Sequence, residues 1–327
     1  MPQVTIHNGI FWANFIRRSV VPTFGVVRQW VEGQLTPALG RIKQVADLYE
    51  QKRGPIWRDE EGYGIDADGN DDITREDIAA GLSQGFENLL FVHLYHLVEQ
   101  QAATIARSDG ALEFKFGPHP QLWQAVYKKF GVDVTFMNSW PQIEELRQIA
   151  NTVKHYNAND STRLKQLHPK WFASEDAAPS IRLNPKAFPV EYALTGIDLQ
   201  MRPEDYRAKI EAVVNFWEEL AAILCGEKPK PKSLRDFVLE NREKILAVVE
   251  KYGARNVRVF GSVARGEAGP ASDVDLLIKS GEKMGLFQLI GLEHELSDLL
   301  GRKVDLGSEN GIKLRHKDRI LSEAVPL

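Results

Sequence analysis

Before about residue 228, apolar residues recur mostly at helical spacing; strand-like runs appear only beyond that point. Phe11 to Lys52 has a helical period broken near Pro22 and Pro37, and similar patterns cover His119 to Phe130, Ser139 to Tyr156 and Pro203 to Cys225. Thr74, with Asp77 three residues on, has the form of a cap for a long helix reaching about Arg107. Strand signals are few here, so the pattern predicts an all-α bundle with an irregular insertion between Asn157 and Met201. Lys228-Pro229-Lys230-Pro231-Lys232 cannot continue a helix and reads as a short, semi-rigid linker. Beyond it, Ser233 and Asp236 cap a helix running to about Tyr252, which Gly253 ends. Val257 to Phe260, Val274 to Ile278 and Lys303 to Leu306 read as short strands, with a helix over Leu286 to Leu300. The expected organisation is an all-α domain over 1–227, a linker over 228–232 and a small α/β domain over 233–327.

Composition narrows the picture. A chain of 327 residues exceeds what one core usually supports, in keeping with two domains. With 41 basic against 45 acidic side chains there is no global charge for nucleic acid, so any RNA site must be local. A single cysteine, Cys225, excludes an internal disulfide framework and a cysteine-rich zinc site, which fits a reducing cytoplasm. Ile6 to Ile16 is interrupted by His7, Asn8 and Asn14, unlike a signal peptide, and no uncharged run is long enough to span a membrane. The expectation is a cytoplasmic protein.

The densest chemistry lies between the strands. Gly261-Ser262 follows the first strand directly; a glycine there lets backbone N–H groups approach a phosphate, and the serine adds a hydroxyl donor. Asp273 and Asp275 flank Val274, so strand alternation places both carboxylates on one face. Such a pair is costly unless a cation neutralises it, and Mg2+ takes oxygen ligands and substrate phosphates together. Asp305, on the third strand, adds a third carboxylate at the same edge, and Arg265 a phosphate contact from the loop. Three carboxylates with Mg2+ suit the attacking and leaving oxygens of an in-line displacement.

These residues, together with Tyr252-Gly253-Ala254, Arg258 to Gly266, Ser272 to Leu277 and Leu300 to Asp305, resemble the minimal nucleotidyltransferases (MNT) of the DNA polymerase β superfamily. The resemblance covers residues 233–327. It implies that Asp273, Asp275 and Asp305 bind Mg2+ and that Gly261 and Ser262 bind the triphosphate of ATP or another NTP.

One helical segment also carries candidate chemistry. Arg147, Asn151 and His155 recur every fourth residue, which lines up a cation, an amide and an imidazole on one helical face. Such a row either forms a solvated face or, paired with a second copy, stabilises a phosphate and moves a proton from a ribose hydroxyl. The segment is similar to the HEPN helical bundles, which accompany MNT proteins in toxin and antitoxin pairs and include dimeric, metal-independent ribonucleases. Seven residues separate Arg147 from His155, where the HEPN motif has about four to six. In such pairs the transferase places AMP on a tyrosine near the histidine; Tyr156 directly follows His155, while the motif's own tyrosine position is here Asn157. The resemblance implies a fused HEPN and MNT protein of a toxin–antitoxin or antiphage system, homodimeric or of higher order, with RNA as substrate of the helical domain. Two other readings stand beside it: a transferase acting on a small alcohol, similar to the aminoglycoside-modifying enzymes, and a non-catalytic nucleotide sensor on an oligomerising bundle.

Overall fold

In a computed structural model the described residues are 6–41, 44, 57–58, 64–65, 75–107, 119–155, 158–172, 199–281, 284–309, 311–312 and 314–327. In chain order they form α1 (Ile6–Phe15), α2 (Val21–Trp30), β1 (Trp57–Arg58), β2 (Gly64–Ile65), α3 (Arg75–Arg107), α4 (His119–Phe130), α5 (Trp140–His155), α6 (Ala158–Leu167) and α7 (Pro203–Leu224). There follow α8 (Leu234–Glu240), α9 (Arg242–Lys251), β3 (Arg255–Val259), α10 (Gly261–Ala264), β4 (Val274–Lys279), α11 (Leu286–Leu300), β5 (Val304–Ser308), α12 (Leu314–Glu323) and β6 (Val325–Pro326). They group into two compact units, one drawn from residues 10–101 and 138–225, the other from 1–9, 102–137 and 226–327.

The described residues of the first unit are mainly helical, as the apolar period predicts, with a two-residue pairing of β1 with β2 beside the helices. Pro22 does not break the chain's course: the backbone stays helical from α1 through a π turn over Ile16–Val20 into α2, so a proline is carried where the hydrogen-bond ladder is already irregular. Ile16, Val20 and Phe24 are fully buried, and Arg17 reaches Glu218 of α7 at 3.1 Å. Phe91 of α3 meets Tyr206 of α7 edge to face with centroids 5.3 Å apart. The buried Glu219 carboxylate on α7 accepts from the backbone N–H groups of Asn138 (3.1 Å) and Ser139 (2.9 Å). One helix thus supplies the acid that satisfies the orphan donors at the start of α5. The insertion expected to be irregular contains α6, which buries Leu164, and Phe172 bridges to Leu199.

In the second unit the sheet has the order β5-β4-β3-β6; β3 runs antiparallel to both its neighbours and β4 parallel to β5. Val257 and Val259 of β3, Val274, Leu276 and Ile278 of β4, and Val304 of β5 pack with Leu292, Leu296 and Leu300 of α11 and Leu234, Val238, Ile245 and Val249 of α8 and α9. Asn256, at positive φ of 56°, accompanies a register shift in β3 between Arg255 and Arg258. On edge strand β5 the N–H groups of Val304 and Leu306 donate to Ser297 Oγ (3.1 Å) and Glu293 Oε2 (3.3 Å) of α11, so this edge is covered.

The single helix expected from Ser233 to Tyr252 is two, because Asn241 leaves the helical region (φ −92°, ψ 9°) and its side chain donates to the Phe237 carbonyl at 3.0 Å. Ser233 caps α8 through Asp236, and Gly253 (φ +74°) follows α9, as expected. α12 and β6 close the domain, Leu327 N–H donating to Val257 O at 3.0 Å. The same unit takes in α4 and the turn after it: Phe136 packs on Phe237 with centroids 5.4 Å apart, and Lys230 Nζ donates to the Phe130 carbonyl at 3.3 Å.

Leu296 is fully buried in this core and is none of the candidate site residues. Leu296→Ala is expected to lower stability by about 2–5 kcal/mol, read by denaturant unfolding, while leaving nucleotide binding at temperatures below the transition intact.

Candidate active site

The site begins where β3 gives way to α10. Phe260, in extended conformation, donates its N–H to the Asp275 carbonyl at 3.1 Å, and the chain then turns through Gly261 at φ +66°. A Cβ at position 261 would stand 2.1 Å from Asp275 Oδ2, so only glycine lets the turn lie this close to the carboxylate. The Ser262 carbonyl then accepts from Glu267 N–H (2.9 Å) and Ala268 N–H (3.1 Å), which fixes the exit from this turn.

Parallel pairing of β4 and β5 sets Asp275 directly beside Asp305. Burial first, and then the charges of Asp305 and Asp273, push the Asp275 carboxyl above its ordinary range; Arg265 pulls the other way. Lys303, two residues before Asp305 and hence on the same face of β5, extends its ammonium to Asp305 Oδ1 (2.7 Å) and Asp273 Oδ2 (2.9 Å). Those two bonds hold the lysine well above its usual range. Lys303 is not among the residues that the sequence pattern singles out, although its place two residues before an acidic strand position marks it.

Among the described residues no three acidic, histidine or cysteine side chains converge as a ready-made metal cage. The donor set nonetheless suits a divalent cation: two carboxylates in register, a third near enough to raise Asp275, and an ammonium already lying across two of them.

Residues 241–327 match the family model described as nucleotidyltransferase domain. A protein of Methanocaldococcus jannaschii, provisionally named a protein adenylyltransferase, is 42% identical over 86 residues, which are 26% of this chain and 92% of that protein. The chain belongs to the nucleotidyltransferase family. Protein adenylyltransferase MntA of Thermococcus cleftensis is 40% identical over 94 residues, 27% of this chain and 95% of its own. A solved structure described as a minimal nucleotidyltransferase, also provisionally, is 43% identical and covers 28% of this chain and 95% of that one, with a TM-score of 0.27.

Within the nucleotidyltransferase domain Arg265 does not point freely from its loop. Its guanidinium is held by Glu267 (2.8 Å) and by Glu323 of α12 (2.5 Å), so a phosphate at this position competes with two carboxylates. In the helical unit, α5 carries Arg147, Asn151 and His155 with the expected spacing. Arg147 forks onto Glu144, one turn earlier, at 2.6 to 3.1 Å. Tyr156 lies outside the described residues. The transferase residues and the α5 row belong to different compact units.

Two outcomes follow from this geometry. Gly261→Ala is expected to reduce nucleotide transfer by on the order of 100-fold, because the added methyl must displace Asp275; radiolabelled nucleotide incorporation measures it. Lys303→Met is expected to tighten Mn2+ binding about two- to fivefold without nucleotide, since the cation no longer competes with the ammonium; electron paramagnetic resonance titration reads it directly.

Proposed function

We propose that this protein is a self-modifying adenylyltransferase fused to a HEPN-like helical domain, in which AMP placed on Tyr156 restrains a candidate ribonuclease row on α5, in the manner of a toxin and antitoxin joined in one chain. The observation that carries the reading is the match of nearly the full length of two relatives named protein adenylyltransferases to about a quarter of this chain. The sheet edge bearing Gly261, Ser262, Asp273, Asp275 and Asp305 supports it.

In this reading the turn at Gly261-Ser262 cradles the triphosphate of ATP, and Asp273, Asp275 and Asp305 hold Mg2+, which neutralises charge on the phosphates when bound. Lys303 then exchanges carboxylate partners for phosphate oxygens, and Arg265 turns from Glu267 and Glu323 towards the same substrate. The Tyr156 oxygen attacks the α-phosphorus as its proton passes to solvent, the bond from the α-phosphorus to the bridging oxygen breaks, pyrophosphate leaves, and a phosphodiester to AMP remains on the ring. That anionic group beside His155 repels RNA phosphate from the row of Arg147, Asn151 and His155. The row works as a pair between two copies of the chain, and there RNA phosphate displaces Glu144 from Arg147.

Intact mass spectrometry after incubation with ATP and Mg2+ tests this. The wild-type chain is expected to gain mass in AMP-sized steps, and both Asp273→Ala/Asp275→Ala and Tyr156→Phe are expected to stay unmodified. Modification that persists in Tyr156→Phe would move the acceptor elsewhere, and transfer only to an added alcohol would replace the reading with a small-molecule transferase.

A further inference from the structure

The loop that delivers Asp273 is gripped from two sides, and one of them is the helical segment before the linker. Arg302, directly ahead of Lys303, has a side chain only 16% exposed. Its Nη1 faces the carbonyls of Gly269 (3.5 Å), Pro270 (3.2 Å) and Ser272 (3.5 Å), the last of these in the peptide bond to Asp273. Its Nη2 donates to Thr135 Oγ1 at 2.5 Å, and the guanidinium lies 5.3 Å from the centroid of the Phe136 ring. From α4, Gln124 Oε1 accepts the N–H of Ala271 at 3.3 Å, and a Cβ on Gly269 would meet Gln124 and Tyr127 at 2.6 Å. The loop over 269–272 is therefore pressed between Arg302 and α4.

Simple charge pairing does not account for this arrangement. Asp133, almost fully buried, stands 4.0 Å from Arg302 Nη2, yet its Oδ2 accepts no hydrogen bond, while Oδ1 is engaged by the N–H and hydroxyl of Thr135. A guanidinium used only to join two elements would fork onto that carboxylate. Here Nη1 is turned to the loop carbonyls instead, and Asp133 holds Thr135 for Nη2. The Lys303 carbonyl accepts from Val274 N–H at 3.0 Å, so Arg302 stands at the point where the strands carrying Asp273, Asp275 and Asp305 are tied together.

We infer that Arg302 is a positioning residue of the transferase, and that Thr135 with Asp133 forms its socket, so that the segment 119–137 sets the place of Asp273 although it lies outside the family-matched domain. The inference rests on the carboxylate roles proposed above. A displacement of about 1 Å at a reacting group costs on the order of 100-fold in rate, so a hydrogen bond from the helical segment is sufficient to tune the site.

The test uses the full-length chain with Thr135→Val, Arg302→Lys and Arg302→Met. Three quantities are measured: thermal unfolding, Mn2+ binding by electron paramagnetic resonance without nucleotide, and kcat and KM for nucleotide transfer. Thr135→Val is expected to stay folded with an unfolding temperature only a few degrees lower, because Asp133 loses one donor, to weaken Mn2+ binding several-fold and to lower kcat about tenfold at a temperature well below that transition, with KM for ATP within about twofold. Arg302→Lys, which keeps the charge but loses the fork, is expected to behave likewise, and Arg302→Met more severely. If Thr135→Val and Arg302→Lys bind Mn2+ and turn over as wild type, the contact is packing only and the inference is overturned. If Tyr156 proves not to be the acceptor, the Mn2+ arm still decides the role of Arg302, so the two ideas fail separately.

Discussion

Two carboxylates forced side by side govern this molecule. Parallel pairing of β4 with β5 sets Asp275 opposite Asp305, and Asp273 follows from strand alternation. Like charges in that relation oppose folding, and the surrounding structure is arranged around the repulsion. Lys303 lies across Asp305 and Asp273; Asp275 shifts towards its protonated form; Gly261 removes every side-chain atom from the space in front of it. A site that holds so much negative charge ready is suited to a cationic partner and to the phosphates that accompany it.

The same constraint explains why the neighbouring supports are polar. The outer N–H groups of edge strand β5 are taken by Ser297 and Glu293 of α11. The loop ahead of Asp273 has little regular structure of its own, and its carbonyls are collected by Arg302. Arg302 in turn depends on a turn more than a hundred residues earlier in the chain, which makes α4 and residues 133–136 part of the transferase unit. The helical unit follows a different logic, in which long helices meet through aromatic edges and buried acids such as Glu219.

Much of the α/β domain was legible from the chain alone. The strands at Val257, Val274 and Val304 are short β-branched or apolar runs bounded by turn residues, and Gly261, Ser262 and the aspartates stand at spacings that few other arrangements require. Less was legible where polar sequence forms regular structure. α6 is rich in polar residues and, among its described side chains, buries Leu164, and β6, after α12, pairs with β3. Asn241 divides a helix whose apolar period runs through unbroken, because its amide competes for the Phe237 carbonyl.

By itself, the order of residues determined the local elements, the Gly-Ser turn and the presence of three acidic strand positions, since backbone conformation and side-chain alternation depend on near neighbours. Only the tertiary structure decided that Lys303 bridges Asp273 and Asp305, that Arg265 is committed to Glu267 and Glu323, and that Arg302 ties the loop over 269–272 to Thr135. The physical reason is reach. A charged side chain chooses its partner by distance and burial in the folded chain, and residues far apart in sequence compete for it on equal terms with adjacent ones.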